Sequence, residues 1–539
     1  MIVRLTILLI IFSMSAMSQQ IEDLIDKSKI AFTPHNFLGT QVVSGPDSLV
    51  QDFTLCRQCH TPSMGEAVEA LWYRKRTFQA FDVSKYVHPN PSTVIPGDKN
   101  SRQCLACHDG RIANGFPHHQ AALNPQFSLH ESDEKKLARN GHLHLFDFPD
   151  QKSSTHKPSG DSELFLSEEG RVSCITCHDP HSNEHDNFLR VPAQNSQICF
   201  DCHNMANWEL STHGNASDPK YAKLHELACA QCHNIHAVPV IEKLLSNDEN
   251  TLCLNCHDGL QDSESEVASE ADLVSVFDKP YNHPIQWRSS NKSSNDGFDI
   301  WTSGIADDRS VKCSDCHNPH AASDQVLSPF LDGSQQYVDG VDSHGFPKES
   351  VDYEYETCYK CHGMNQNSSL KRSVGRLFAR TNVSYHPIEA PGNNPYVPSL
   401  KDEWSEQSML RCSDCHGNDD PMEAQGPHGS SIPHILKAPF ADFPFSSVEE
   451  NELCFGCHEK ERVVQSNGFK FHRLHILDAG YSCSACHNPH GSIEYPGLLD
   501  LGKGFIRPVN GVLEVVQTEP GHGYCTLKCH DKAHPNQTY

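Results

Sequence analysis

The sequence is poor in long hydrophobic runs, in positive charge and in hydrophobic residues that could form a core. After the first 18 residues, no stretch approaches the roughly 20 consecutive apolar residues that a membrane-spanning helix needs. Lys and Arg number 43 against 69 Asp and Glu, a net charge of −26, so a nucleic acid is an unfavourable partner. With 37% hydrophobic residues and 33 prolines in 539 positions, the chain is not expected to build a conventional core.

The first 18 residues predict a secretory signal. Arg4 precedes an apolar run from Leu5 to Phe12, and small residues follow at Ala16 and Ser18. This run is too short to span a bilayer. We therefore expect residues 1–18 to be removed, and the mature protein to be exported to the periplasm or the cell surface without spanning the membrane.

All cysteines fall into one repeated pattern, CxxCH. Eleven regular copies, and a twelfth with one extra residue at Cys525–His530, use all 24 cysteines. No cysteine remains for a disulfide, a nucleophile or a separate metal site. Histidine follows the second cysteine in every copy, which neither zinc ribbons nor disulfide pairs require. The pattern is the attachment signal of a c-type haem, in which two thiols bond to the porphyrin and the histidine binds the iron.

Twelve covalently bound haem c groups are therefore predicted, and we number the motifs 1–12 in chain order. The attachment cysteines are Cys56 and Cys59, Cys104 and Cys107, Cys174 and Cys177, Cys199 and Cys202, Cys229 and Cys232, Cys253 and Cys256, Cys313 and Cys316, Cys358 and Cys361, Cys412 and Cys415, Cys454 and Cys457, Cys483 and Cys486, and Cys525 and Cys529. The proximal iron ligands are His60, His108, His178, His203, His233, His257, His317, His362, His416, His458, His487 and His530.

Each low-spin iron needs a second axial ligand, usually histidine or methionine. Five methionines follow the signal (Met64, Met205, Met364, Met409 and Met422), which is too few, whereas 24 of the 36 histidines remain after the proximal set. Histidine on both faces is therefore predicted for most irons, with rather low potentials. The distal candidates are His35, His88, His142, His181, His213, His236, His283, His320, His386, His428, His475 and His490. His225 is an alternative to His213, and His472 is an alternative to His475. For His88, His156 and His225 a surface role is equally open.

Four candidates lie only three residues after a proximal histidine: His181, His236, His320 and His490. Three residues span at most ~10 Å of chain, too little to pass round a porphyrin to the opposite face of the same iron. Each is therefore expected to bind the iron of a neighbouring haem.

The motifs fall into six pairs with recurring accessory histidines, which predicts an internal repeat. The expected divisions are a signal at 1–18, di-haem modules at 19–120, 121–208, 209–260, 276–370, 371–462 and 463–539, and an acidic linker at 261–275. Residues between motifs are rich in Pro, Gly, Asn and Ser, as in loops. The predicted fold is irregular and elongated, mainly coil with short α-helices and little β-structure, and built from six di-haem repeats.

The chain resembles the multihaem c-type cytochromes with a doubled CxxCH motif. The resemblance is clearest in HNF (His35–Phe37), CRQCHTP (Cys56–Pro62), ALW (Ala70–Trp72) and CLACHDG (Cys104–Gly110). Ser63 departs from the histidine that the family usually has there. The resemblance implies electron transfer in anaerobic or extracellular respiration. The partners would be redox proteins such as other cytochromes or an outer-membrane porin.

The resemblance also leaves other functions open. One alternative to an electron carrier is a reductase of oxyanions or nitrogen compounds, which would need one iron with an open face. Another is a structural filament subunit that assembles with copies of itself. We expect an electron carrier rather than an enzyme, because no CxxCK attachment motif is present.

Overall fold

In the computed structural model, the described residues are 33, 35, 104, 156–167, 170, 172–205, 207–215, 229–235, 244–259, 271–285, 311–323, 330–363, 374–441, 448, 452–465, 469–529 and 532–539. The chain divides into two compact units. The first comprises residues 1–206 and 216–248, and the second comprises residues 207–215 and 249–539.

The helices of both units are short, and most of them coincide with a CxxCH motif. The first unit contains α1 (Cys174–Cys177), α2 (Gln197–Phe200) and α3 (Cys229–Cys232), with a 3₁₀ turn at Gln194–Ser196. The second contains α4 (Glu249–Leu254), α5 (Leu273–Phe277), α6 (Glu354–His362) and α7 (Lys460–Val464). It also has 3₁₀ turns at Trp208–Leu210, Cys313–Asp315, Gly333–Gln335, Gly375–Leu377, Cys412–Asp414, Leu453–Gly456 and Cys483–Ala485, and a π-helical turn at Leu474–Asp478.

Helix α6 is the longest described helix, with nine residues. Acidic Glu354 and Glu356 lie in its first turn, whereas Lys360 and His362 lie in its last, an arrangement that favours the helix dipole. The Glu356 carboxylate also accepts the backbone N–H of Asp352 at 2.7 Å, just before the helix begins. Gly363 follows the last residue and ends the helix. Local sequence therefore accounts for this helix.

Six of the nine described strands are two residues long, and four of these six join segments that are far apart in sequence. The strands are β1 (Tyr281–Asn282), β2 (Gly340–Val341), β3 (Pro347–Lys348), β4 (Ser384–Tyr385), β5 (Gly429–Ser430), β6 (Gly491–Ser492), β7 (Glu514–Glu519), β8 (His522–Cys529) and β9 (Lys532–Thr538). β1 pairs with β5, β2 with β3, and β4 with β6, all antiparallel. The last three strands form one antiparallel sheet in the order β7-β8-β9.

Buried hydrophobic residues form small clusters rather than one core in the described part of the second unit. One cluster contains Tyr355, Tyr359, Phe378 and Ile388. The others are Leu254 with Phe277 and Ile285, and Leu331 with Val338 and Val351. Within the described residues, no helix has both the length and the apolar character needed to cross a membrane.

The expectation of a mainly irregular chain with short helices and little β-structure is confirmed for the described residues. The six-fold repeat and the module boundaries remain predictions. The division between the compact units lies at residues 248 and 249, inside the stretch expected to form the third module. Residues 271–275 of the expected acidic linker are described, and α5 begins within them.

Glycine at 429 is required by close backbone contact. A Cβ atom there would collide with the backbone carbonyl oxygen of Val276, whereas a Cβ at Gly392 would meet no atom within 4 Å. We expect Gly429→Ala to lower the free energy of unfolding by about 1–3 kcal/mol, the usual cost of overpacking. The measurement is guanidinium unfolding of the haem-loaded protein. Gly392→Ala is the matched control, and equal stability of the two variants would contradict the close contact.

Candidate haem-attachment sites

In motifs 3 to 11, the residues from the first cysteine to the histidine lie in a helical turn. The backbone N–H of His178 bonds to the carbonyl of Cys174 at 3.0 Å, and that of His487 to Cys483 at 3.0 Å. The same bond recurs at motifs 4, 5, 6, 7, 9 and 10. Residues three and four apart on a helical turn are neighbours. The turn therefore brings both thiols and the following histidine together, as attachment to one porphyrin requires.

In four odd-numbered motifs the chain returns to the proximal histidine after a loop. Antiparallel bridges join His178 to Leu189, His233 to Leu245, His416 to Leu436 and His487 to Leu499. The residue before each leucine has a left-handed backbone, with φ between 54° and 60°, and these residues are Phe188, Leu244, Ile435 and Leu498. Such a conformation is unfavourable for bulky side chains, so the surrounding contacts must enforce it.

Backbone carbonyls fix the orientation of several proximal imidazoles. The Nδ1 atom of His178 lies 2.9 Å from the carbonyl oxygen of Asn187, that of His416 lies 2.9 Å from His434 O, and that of His487 lies 2.7 Å from Gly497 O. A carbonyl oxygen can only accept, so Nδ1 carries the proton and donates. Nε2 is then left with a lone pair for a metal, which is the usual arrangement of an iron-ligating histidine.

Five pairs of histidine rings are separated by the space that one metal ion would fill. With metal–nitrogen bonds of about 2.0 Å, two imidazoles on opposite faces of one ion have ring centroids about 6 Å apart. The observed centroid separations are 6.4 Å for His213 and His257, 6.0 Å for His317 and His428, 6.4 Å for His283 and His362, 6.2 Å for His416 and His490, and 6.2 Å for His472 and His487. Every pair contains one proximal histidine from a CxxCH motif, so the residues fit a haem iron.

Burial keeps several of these imidazoles neutral. Burial, followed by the neighbouring His317 and His283, lowers the pKa of His428 to about 3. Burial and then His416 lower the pKa of His490 to about 4. Neutral imidazole is the form that binds a metal.

Two further proximal histidines have a histidine nearby. His386 interacts electrostatically with His458, whose pKa is lowered to about 4 mainly by burial. His156 interacts in the same way with His203, and its backbone N–H bonds to the carbonyl of Cys202 at 2.8 Å. His156 and His472 are thus placed beside motif histidines although neither is among the twelve distal candidates. The sequence leaves both histidines open as ligands, but their spacing from the motifs does not favour them over the twelve candidates.

Three other distal candidates contact residues that are not motif histidines. His475 does not face His487; its Nδ1 lies 2.9 Å from the carbonyl of Phe471, and its ring contacts Tyr481. The His181 side chain is 63% exposed and lies 3.5 Å from Asp179, and the His320 ring contacts Trp208. Met422, one of the few methionines, is 91% exposed and therefore does not line a buried site. Outside the described residues lie His60, His88, His108, His142, His236 and His530, with Cys56, Cys59 and Cys107.

The twelfth motif differs from the others in conformation. Cys525 and Cys529 both lie in β8, with an irregularity of register between Cys525 and Leu527. Residues four apart in a strand share a face but are separated by about 13 Å. The helical turn of the described regular motifs is therefore not formed here.

The thiols of consecutive motifs are in contact. The first cysteines of motifs 4 and 5, Cys199 and Cys229, are hydrogen-bonded, and so are Cys253 and Cys313 of motifs 6 and 7. In motifs 8 and 9, and in motifs 10 and 11, the two first-cysteine thiols and one buried glutamate lie within 4.8 Å of one another. Their thiols are assigned to porphyrin, so we do not interpret these groups as separate metal sites.

The second cysteines approach one another at the alternate junctions. Electrostatic contacts join Cys177 to Cys202, Cys316 to Cys361, Cys415 to Cys457, and Cys486 to Cys529. These are motifs 3 and 4, 7 and 8, 9 and 10, and 11 and 12. Contacts between first cysteines and contacts between second cysteines thus alternate within each described unit.

Polar side chains connect the motifs whose first cysteines touch. Glu354 is 6% exposed and accepts the backbone N–H of Ser413 at 2.7 Å and its hydroxyl at 2.6 Å. Glu249 accepts the N–H of Ser314 at 2.6 Å, and Ser196 accepts the N–H of Cys229 at 2.8 Å. Each bond holds the start of one motif turn against the preceding motif.

Comparisons with known proteins place these motifs in a family context. Residues 343–496 match the family described as outer membrane cytochrome MtrC/MtrF-like, domains II/IV. Residues 167–207 and 222–262 each match the doubled CXXCH motif family, and they contain the second and third motif pairs. The multiheme cytochrome MtrA of Shewanella baltica (strain OS185) is 25% identical over 217 residues, which is 37% of this chain and 44% of that protein. The chain thus spans less than half the length of this curated relative. No solved structure matches the chain.

The resemblance expected from the sequence is confirmed by these matches. The chain carries the doubled CxxCH motif of multihaem c-type cytochromes, together with a region similar to the outer-membrane cytochromes of the Mtr group. The paired motifs support covalently bound haem c.

The buried Glu354 carboxyl predicts a pH-dependent stability. Burial raises its pKa above the ordinary value of 4.5, and the bonds from Ser413 only partly oppose this. The folded state then holds the proton more tightly than the unfolded state, so stability is lost as pH rises through the folded pKa. In Glu354→Gln this loss is absent, so the free energy of unfolding of the variant relative to the native protein should increase from pH 4.5 to pH 7.5.

The measurement is guanidinium unfolding of both haem-loaded proteins across that range of pH. Glu209→Gln, at an exposed position, is the matched control and should leave the pH dependence of stability unchanged. Parallel pH profiles for the native protein and Glu354→Gln would contradict a raised pKa at Glu354.

Proposed function

We propose that the protein is an exported dodecahaem c-type cytochrome that carries electrons along a chain of haems in anaerobic or extracellular respiration. The observation that carries this proposal is the set of five histidine-ring pairs separated by 6.0–6.4 Å. Each pair offers two axial ligands to one iron and leaves no open face for a substrate. This favours an electron carrier over a reductase.

The histidine-ring pairs allow distal ligands to be proposed for particular motifs, which the sequence alone did not do. We assign His213, His428, His283, His490 and His386 as the distal ligands of motifs 6, 7, 8, 9 and 10, respectively. His472 takes this role at motif 11. His475 then remains as the candidate for motif 12, because its neighbour Tyr481 interacts with Cys529. His156 is the candidate at motif 4.

The order of the haems is proposed to follow the order of the motifs in the sequence. Thiol contacts between consecutive motifs support this order from motif 3 to motif 5 and from motif 6 to motif 12. Neighbouring attachment points bring neighbouring porphyrins close together, which favours transfer between consecutive irons.

When bound, haem supplies one-electron redox chemistry, and the protein supplies position and environment. The proximal and distal histidines hold the iron from two faces. Carbonyls at Nδ1 fix the ring orientation and increase the basicity of the ligating nitrogen. Histidine on both faces keeps the potential lower than a methionine ligand would. Glu249 and Glu354 hold neighbouring motif turns against one another.

The partners are proposed from the chemistry and from the names of the relatives. One matched family is described as an outer membrane cytochrome, so we propose transfer to or from another cytochrome or a porin-associated partner at the periplasm or cell surface. We do not expect the chain itself to span the membrane.

Low-temperature electron paramagnetic resonance of the oxidised, haem-loaded protein tests the ligation. We expect only low-spin ferric signals, because two imidazoles make each iron six-coordinate. A high-spin signal of about one iron per chain would contradict the proposal. It would favour the reductase alternative, with nitrite and hydroxylamine as the first substrates to assay.

The haem count is tested by the intact mass together with coulometric reduction. We expect a mass that corresponds to twelve haems, and uptake of twelve electrons per chain. A count of eleven would show that Cys525 and Cys529 remain in strand β8 without a haem. The variant Cys525→Ala is the matched control, since it should change the count only if the twelfth motif is loaded.

A further inference from the structure

Four of the distal candidates share a hydrogen bond that the iron sites alone do not require. The Nδ1 atom of His213 lies 3.0 Å from the carbonyl oxygen of Pro319, and that of His283 lies 2.6 Å from Pro427 O. His386 is bonded in the same way to Pro489, and His35 to Pro180. In each case the acceptor is a proline, and the next residue in the chain is another histidine.

In two of these four cases, that next histidine is itself placed opposite a proximal histidine. His428 follows Pro427 and faces His317 at 6.0 Å. His490 follows Pro489 and faces His416 at 6.2 Å. The donors of the two hydrogen bonds serve the neighbouring motifs, since His283 faces His362 at 6.4 Å and His386 lies beside His458.

Short β-strands also connect the two histidines in each case, His283 with His428 and His386 with His490. His283 lies directly after β1 and His428 directly before β5, and the two strands pair through Tyr281 with Ser430 and Asn282 with Gly429. The backbone N–H of His283 also bonds to the carbonyl of His428 at 3.2 Å. The same arrangement joins His386 to His490 through β4 and β6.

We infer that the distal ligands of consecutive irons are coupled, through a hydrogen bond from Nδ1 of one ligand to the proline carbonyl that precedes the other. The coupled irons are those of motifs 7 and 8, and those of motifs 9 and 10. Proline contributes a fixed backbone angle and no N–H of its own, so its carbonyl presents a rigid acceptor. Loss of the donor at one iron should then change the ligand orientation at both. This inference rests on the ligand pairs of the proposed function.

His472 provides a contrast within the same chain. It faces His487 at 6.2 Å, but its hydrogen bond goes to the backbone of Val463. The residue after Val463 is Val464, so this bond leads to no second ligand. Replacement of His472 should therefore affect one iron.

The experiment removes the His283 imidazole and restores the ligand with or without its hydrogen bond. In the haem-loaded variant His283→Gly, added imidazole can bind the iron with one nitrogen and donate its N–H to Pro427. Added 1-methylimidazole can bind the iron but cannot donate. Paramagnetic resonance of the oxidised protein records the state of each iron, and native protein treated with either compound should be unchanged.

We expect His283→Gly alone to show one high-spin iron and a shift in the g values of one other, low-spin iron. Imidazole should restore both signals. 1-Methylimidazole should restore the low-spin state at the first iron but leave the second shifted. In the control variant His472→Gly, both compounds should restore the single altered signal equally, and no second iron should shift.

The outcomes separate the coupling from the ligand assignment. If His283→Gly alters one iron only, or both compounds restore its spectrum equally, the coupling is wrong and the ligand pair stands. If no high-spin iron develops, His283 is not a ligand, and the ligand set of the proposed function fails. Should His283→Gly not accumulate as a folded protein, His386→Gly carries the same test at motifs 9 and 10.

Discussion

The proposed iron ligation imposes one constraint on the structure: two imidazole rings must stand about 6 Å apart, each with its Nε2 atom directed at the same point. A hydrophobic core does not meet this requirement, because packing alone does not fix the rotation of a ring. Hydrogen bonds from Nδ1 to backbone carbonyls do fix it, as at His178, His416 and His487. The carbonyls are supplied by loops and short strands, and this explains why regular secondary structure is scarce in the described residues.

The same constraint explains where the backbone is strained. Phe188, Leu244, Ile435 and Leu498 adopt a left-handed conformation, which bulky side chains normally avoid. Each precedes a leucine that bridges to a proximal histidine. The carbonyl groups of all four accept the N–H of the residue after that histidine at 2.7–2.8 Å. Strain of this kind persists where surrounding contacts over-determine the conformation, and here those contacts hold a predicted iron ligand.

Sequence reasoning succeeds where a local chemical pattern determines the structure. The CxxCH pattern locates the attachment sites, and a helical turn is present in every described regular motif of the second unit and in motifs 3, 4 and 5. His490, which lies three residues past the histidine of its own motif, faces His416 rather than His487, and its role as an iron ligand remains a prediction. The composition also indicated the small size of the hydrophobic clusters.

Contacts between residues that are far apart in the chain could not be derived from the sequence in this way. His472 and His475 are equivalent by spacing, but His472 lies opposite His487, whereas His475 lies in the π-helical turn at Leu474–Asp478. The residues that adopt a left-handed backbone before the bridging leucines are neither glycine nor asparagine, so the sequence does not predict this conformation. The strand at the twelfth motif follows from pairing with β7 and β9, which are tertiary contacts that the extra residue in the motif does not reveal.

The alternation of thiol contacts explains how an irregular chain can maintain a regular series of sites. Motifs 3 and 4 begin at Cys174 and Cys199, whereas motifs 6 and 7 begin at Cys253 and Cys313, so the loops between neighbours differ greatly in length. The contacts are nevertheless of two recurring kinds, because they are made by the ends of the motif turns and not by the loops. Loop length costs little free energy once the ends are fixed. Insertions between motifs can therefore be accommodated without changing the order of the attachment sites, provided that the turns and the polar side chains that connect them, such as Glu354 and Ser196, are retained.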